Sequence, residues 1–106
     1  MKKQRNRGSL PLMILSALVA GECHGYRITT KIREGSLGVL SYREGTLYPM
    51  LHRLKEDGLL SSRREIVDGR ARRYYKLTAA GKRAVVVEQK NWASYKEAVD
   101  NVLASL

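Results

Sequence analysis

Ser41-Tyr-Arg-Glu-Gly-Thr-Leu-Tyr-Pro-Met-Leu-His-Arg-Leu-Lys-Glu-Asp-Gly-Leu-Leu60 is the stretch on which the reading of the whole chain turns. Leu47, Leu51 and Leu54 recur at i, i+4 and i+7 and so share one face of a helix. Ser41 and Glu44 have the spacing of a capping box, in which the hydroxyl accepts from the Glu44 amide and the carboxylate reaches back to the Ser41 amide. Gly58 is a natural stop, because glycine takes a positive φ without a Cβ clash. Glu44 at the front and Arg53 and Lys55 near the back suit the helix dipole. The side opposite the leucines carries Tyr42, Gly45, Pro49, His52 and Arg53. Leucines would hold such a helix on its domain, while small and basic residues on the other side allow close approach to a DNA groove. Pro49 falls inside the helix and removes the hydrogen bond to the Gly45 carbonyl, a loss that glycine at that position eases. Read more plainly, Pro49 marks a kinked core helix.

Around this helix, 106 residues suffice for one domain with a modest core. The formal net charge is +10. It is uneven: 18 of the 20 Lys/Arg and 7 of the 10 Asp/Glu precede Ala84, a net +11, which leaves −1 for the last 23 residues. A polyanionic partner is favoured, nucleic acid ahead of a membrane surface. The single cysteine, Cys23, excludes a disulfide within the chain and fits a reducing cytoplasm. Cys23, His24 and His52 have no metal-ligand spacing, so neither metal nor cofactor is expected.

The N-terminal segment, residues 1–8, contains Lys2, Lys3, Arg5 and Arg7 without an acid and reads as a basic arm, touching phosphates or simply solvated. Leu10 to Ala20 is nearly all apolar. Its basic flank and small following residues are those of a signal peptide, and it is too short to span a bilayer. The other reading is a first helix capped by Ser9 and apolar on more than one side, lodged between the core and another helix. The second is preferred, since cleavage would strip a three-helix core of its first member. Gly21 to Gly25 reads as a turn. A second helix follows over 26–34, with Ile28 and Ile32 on one face and Arg27 and Lys31 as like charges at i, i+4. Nearby phosphates would offset that repulsion, and a solvated surface would tolerate it.

Asp68-Gly69 lies between two strand-like runs, a hairpin signal with a type I′ turn. A two-residue loop pairs Val67 with Arg70, Glu65 with Arg72, Arg63 with Tyr74 and Leu60 with Leu77. Leu60, Tyr75 and Leu77 then share a face at the base, while Arg63, Arg64, Arg70, Arg72 and Arg73 crowd toward the tip. After a capped helix, such a hairpin reads as a wing along a phosphate backbone. The plainer alternative is an edge hairpin whose charges discourage aggregation. Thr78 caps a last helix reaching about Leu103. Val85, Trp92, Val99 and Leu106 fall seven apart, with Glu88, Tyr95 and Val102 between them, a heptad seam in which Glu88 is the misfit. Its length suggests pairing with another chain, although Trp92 and Tyr95 could also pack within one subunit.

The chain resembles the PadR-type winged-helix transcriptional regulators over about residues 10–103. The resemblance rests on His24-Gly25-Tyr26-x-Ile28, on Glu44-Gly45-Thr46-Leu47-Tyr48-Pro49-x-Leu51-His52-Arg53-Leu54, on Gly58-Leu59-Leu60, and on Gly69-Arg70-x-Arg72-Arg73-Tyr74-Tyr75-x-Leu77-Thr78 with Gly81. It implies a mainly α fold with a small β-hairpin, a winged helix-turn-helix, plus a long C-terminal dimerisation helix. The implied divisions are the arm 1–8, a winged-helix domain 9–77 and the helix 78–106. The resemblance makes Tyr42 to Arg53 the recognition helix, with Tyr42, Arg43, Gly45, Thr46, Pro49, His52 and Arg53 as candidate DNA contacts. Arg63, Arg64, Arg70, Arg72 and Arg73 become wing contacts. Val85, Trp92, Tyr95, Val99 and Val102 become the dimer seam. Members of the family are usually cytoplasmic repressors that bind inverted repeats in double-stranded DNA as homodimers. Some respond to a small aromatic effector, and Trp92 lies in the region that lines its site in certain members. The rival reading is a winged-helix module that binds RNA or a protein without operator specificity. An enzyme is not expected, because no nucleophile–base pair, phosphate loop or metal spacing is present.

Overall fold

A computed structural model describes residues 8–106; the basic residues Lys2, Lys3, Arg5 and Arg7 lie outside the described residues. The elements run α1 (Leu10–Ala17), β1 (Cys23–His24), α2 (Gly25–Gly35), α3 (Glu44–Glu56), β2 (Leu60–Val67), β3 (Arg70–Leu77) and α4 (Ala79–Ser105). The three strands form one antiparallel sheet in the order β1-β3-β2.

One apolar core joins all of these elements. Ile14, Leu15, Ile28, Leu47 and Leu51 are its most deeply buried side chains. The leucine face of α3 therefore points inward as its spacing requires, with Leu54 also buried. α1 packs against α2, α3 and α4, so the apolar N-terminal run is the first core helix. It ends earlier than the run of apolar residues does, at Ala17, where the Lys31 ammonium donates to the Ala17 carbonyl at 2.9 Å. That bond, rather than a phosphate, accounts for Lys31 one turn from Arg27: a cation at a helix C-terminus meets its free carbonyls and negative dipole end.

Two expected caps are absent. Ser9 occupies the N-cap of α1 without a side-chain capping bond. The capping box at Ser41 does not form, because α3 starts later. The Arg43 carbonyl accepts from the Thr46 and Leu47 amides at 3.0 and 2.9 Å, which puts Arg43 at the N-cap and Ser41 two residues too early. Ser36 organises the connecting loop instead, its Oγ accepting from the Leu40 amide at 2.9 Å. The C-terminal stop is as expected. Gly58 has φ 81°, its amide donates to Lys55 O at 2.9 Å, and the Leu59 amide donates to Leu54 O at 3.0 Å. That pair of bonds is a Schellman motif.

α2 ends in the same motif, with Gly38 N to Arg33 O at 2.8 Å and Leu37 N to Glu34 O at 3.1 Å. Here the left-handed residue is Leu37, at φ 57° and 92% exposed. A leucine gains nothing from burial there and carries the Cβ penalty of that region. Leu37→Gly is therefore expected to raise stability by about 0.5–1 kcal/mol, after the extra chain entropy of glycine is set against the relieved strain. An increased urea midpoint at unchanged m would show it, and a lowered midpoint would refute it.

The hairpin has the register expected of a two-residue turn, Val67↔Arg70, Glu65↔Arg72, Arg63↔Tyr74 and Leu60↔Leu77. Asp68 at φ 51° and Gly69 at φ 78° supply the two positive angles of a type I′ turn. The segment read as a plain turn, Gly21 to Gly25, contains β1, which pairs Cys23 with Tyr75 and His24 with Tyr74. Two residues carry no periodicity, and only the neighbouring β3 makes them a strand. The helix cap at Thr78 is present, its Oγ1 accepting from the Gly81 amide at 3.0 Å.

Candidate nucleic-acid interface

α3 is held by its leucines and turns Gly45, Thr46, Pro49, His52 and Arg53 to solvent. Tyr42 differs from expectation: it precedes the helix and lies half-buried against the core, because the chain enters α3 across it. Arg43, at the N-cap, is exposed. His52 Nε2 stands 3.2 Å from Glu56 Oε2, an exposed i, i+4 pair. Among the described residues Arg53 makes no ion pair.

The wing arginines divide by register. Arg64 and Arg73 stand directly opposite each other on the sheet face that carries Leu60, Tyr75 and Leu77. Arg70 and Arg72 lie on the other face with Arg63 and Glu65. Like charges placed directly opposite in a ladder repel, so the Arg64–Arg73 pair suits a surface that is neutralised from outside.

Arg63 differs from the other wing arginines in being paired. Its Nε and Nη2 donate to the Glu22 carboxylate at 2.8 and 2.7 Å, and Nη1 donates to Glu65. Its guanidinium also lies 4.8 Å from the Tyr74 ring centroid. These hydrogen bonds raise the Arg63 pKa, and the Arg63 bond lowers that of Glu22. Arg63 thus ties the wing base to the segment before β1, with its charge already matched. The same pairing occupies Glu65, which leaves Arg72, opposite it in the ladder, without an ion pair among the described residues. Arg64 and Arg70 are likewise unpaired there, and Arg73 Nη1 donates only to Ser62 Oγ at 3.2 Å.

Between α2, α3 and β3 lies a shallow recess of about 200 Å³, lined by His24, Gly25, Tyr26, Tyr48, Arg72 and Arg73. Spacing alone did not mark Tyr26 or Tyr48, and only their place in the family-like motifs drew notice to them. A Cβ on Gly25 would meet the Tyr48 hydroxyl at 2.7 Å, so glycine is what lets α3 approach the start of α2. His24 caps α2 through Nδ1, which accepts from the Arg27 amide at 3.3 Å. Burial lowers the His24 pKa first, and the charges of Arg72 and Arg27 add to it, so the imidazole stays neutral and able to accept. Burial, and then Glu44, raise the Tyr48 pKa, so its hydroxyl stays a donor.

On α4, Val85 differs from the rest of the expected seam: at 5% exposure it is packed in the core of its own chain. Past it the helix leaves the core. Trp92 is 43% and Tyr95 61% exposed, their ring centroids 6.0 Å apart, with Val99 and Val102 also open to solvent. Among the described residues no helix is long and apolar enough to cross a membrane, and no group of three His, Cys, Asp or Glu could hold a metal ion.

The family model for "Transcriptional regulator PadR-like family" matches residues 14–86. The chain is 40% identical over 88 residues to Transcriptional regulator Rv3488 of Mycobacterium tuberculosis, covering 83% of this chain and 79% of that protein. A PadR family transcription regulator from Clostridium difficile superposes with a TM-score of 0.78 at 30% identity, covering 91% of this chain and 99% of that one. A PadR-like transcription factor from Bacteroides fragilis does so with a TM-score of 0.77 at 35% identity, covering 93% and 94% of the two chains.

Proposed function

Because the chain belongs to the PadR-like family of transcriptional regulators, we propose that it is a cytoplasmic repressor that binds an inverted-repeat operator as a homodimer. The observation that carries the reading is the conjunction of an exposed face on α3, whose acid Glu56 is paired with His52, with the unpaired wing arginines Arg64, Arg70 and Arg72. Residues 9–77 act as the reading domain and 78–106 as the pairing helix. Gly45, Thr46, Pro49, His52 and Arg53 face the groove, with Arg43 at its edge. The protein acts by occupying DNA rather than by catalysis. Trp92 beside Tyr95 is also the candidate contact for a small aromatic effector, for which quenching of the Trp92 fluorescence by flat aromatic compounds is the direct assay.

A dimer of such units sets its reading helices about one DNA turn, roughly 34 Å, apart. Footprinting is expected to reveal two protected half-sites at that spacing, related by a dyad. Uniform protection of any duplex would instead favour the reading without operator specificity.

Helix and wing are expected to fail in different ways. Thr46 or Arg53 substitutions should change the ranking of operator variants, because base edges carry identity. The double variant Arg70→Gln/Arg72→Gln should weaken all duplexes alike and lower the magnitude of the log-affinity versus log-salt slope by roughly 1.8, about 0.9 for each phosphate no longer neutralised. An unchanged slope rejects the wing assignment. Arg63→Gln should instead act on stability of the wing base, since its charge is already matched by Glu22 and Glu65.

A further inference from the structure

We propose that the recess between α2, α3 and the wing seats one backbone phosphate of the bound duplex, with the Tyr26 and Tyr48 hydroxyls and the Arg72 guanidinium as its donors. The inference rests on the DNA-binding reading above and adds a site to it, with two residues outside both the recognition face and the arginine cluster.

Three elements meet here. Tyr48 sits on α3 at the flank of the exposed face, about 40° around the helix from His52 and 60° from Gly45 at 100° per residue. Tyr26 stands in the first turn of α2, and Arg72 on the wing strand β3. A DNA strand passing from the reading helix to the wing must cross the gap between them, and the recess is that gap. Its lining carries no carboxylate; Glu44, whose charge acts on Tyr48, stands outside it. Glu65 is drawn off by Arg63, which leaves the Arg72 charge uncompensated. The hydrogen bonds among the described residues leave both phenol hydroxyls free to donate.

The seat is not an exposed helix end. The Arg27 amide at the start of α2 is already taken by His24 Nδ1, so the donors are side chains. The Tyr48 ring lies close over Gly25, where an added Cβ would meet it at 2.7–2.9 Å, and this places the hydroxyl at the recess. Two neutral donors and one cation suit a single phosphate ester, which offers two unesterified oxygens and one negative charge. The contact would set the register of α3 along the groove without reading a base.

The test is a phosphate scan of the footprinted operator, replacing one phosphate at a time by a neutral methylphosphonate, with wild-type protein, Tyr26→Phe, Tyr48→Phe and Arg72→Gln. Phenylalanine keeps the ring that rests on Gly25, and unchanged thermal unfolding of each variant verifies that the fold is retained. One position per half-site is expected to cost the wild type about tenfold in affinity, as when a charge-assisted hydrogen bond is removed. Each variant should bind the unmodified duplex a few-fold more weakly and lose less than the wild type does at that position, because one of the three donors is already gone, while the other positions still cost it what they cost the wild type. The salt slope should fall by about 0.9 in magnitude for Arg72→Gln and stay unchanged for the two phenylalanine variants. Wild-type affinity in both phenylalanine variants, or penalties that add fully at every phosphate, overturns the seat while the DNA-binding reading stands. A wild-type protein that binds no duplex overturns both.

Discussion

Gly81→Ala is expected to destabilise the protein by about 3 kcal/mol, the upper end of what forced overpacking costs. Gly81 lies in the first turn of α4, where a Cβ would come 2.1 Å from the Leu59 carbonyl oxygen and 3.1 Å from its carbon. Both are backbone atoms, so no side chain can swing aside. Nor can Leu59 retreat. Its amide is held by Leu54 O at 3.0 Å and its carbonyl by the Thr78 amide at 3.1 Å. Thr78 is tied in turn, its hydroxyl donating to Gly58 O at 2.6 Å while accepting from the Gly81 amide. The start of α4 would have to lift away from the end of α3, breaking the cap and tilting the helix. For a domain of this size the melting temperature should fall by roughly 12 °C or more. Gly45→Ala is the control: nothing lies within 4 Å of its would-be Cβ, and alanine in the first turn of α3 should leave stability unchanged or raise it by about 0.5 kcal/mol. The two melts are to be compared at one protein concentration, since association would raise both. A Gly81→Ala protein that melts with the wild type would refute the close approach.

Trp92→Ala is expected to weaken homodimerisation by about 2 kcal/mol, near thirtyfold in the dissociation constant, because a large aromatic at the centre of an interface often dominates it. Gly81, Ala84 and Val85 face the core of their own chain. At 100° per residue Trp92, Val99 and Leu103 continue that same side of α4, with Tyr95 and Val102 beside them, yet all five stand past the core and in solvent. A helix of 27 residues is about 40 Å long, and among the described residues only its first turns have a partner in the chain. The molecule measures 57 Å along its longest axis against 30 and 23 Å across, so the arm projects well past the body. A second copy offers an equally apolar and near-neutral arm. Sedimentation should detect the weakened dimer, and operator affinity should fall further than the decline at either half-site, because bivalent binding disappears. A chain ending at Lys90 keeps Val85 and the core; if that chain still dimerises, the interface lies elsewhere.

The sequence by itself determined whatever depends on near neighbours. The leucine period of α3 set its buried face, Asp68-Gly69 set the turn and through it every pair of the β2–β3 ladder, and Thr78 marked the start of α4. In each case a backbone preference acts over a few residues and leaves one low-energy answer, and the family-like motifs run through these same places. What only the tertiary structure decided depends on groups far apart in the chain. Ser41 had capping-box spacing, but the helix begins at Glu44. Cys23 and His24 form a strand because β3 runs beside them, and Arg63 finds its partner in Glu22, 41 residues away. Lys31 finds the end of α1, Tyr48 finds Gly25, and Val85 is taken into the core while Trp92, on the same heptad seam, is left outside. Periodicity shows which residues share a face, but it does not show how far along that face the core extends. That limit is set by where the packed elements end, and in α4 it falls between Val85 and Trp92.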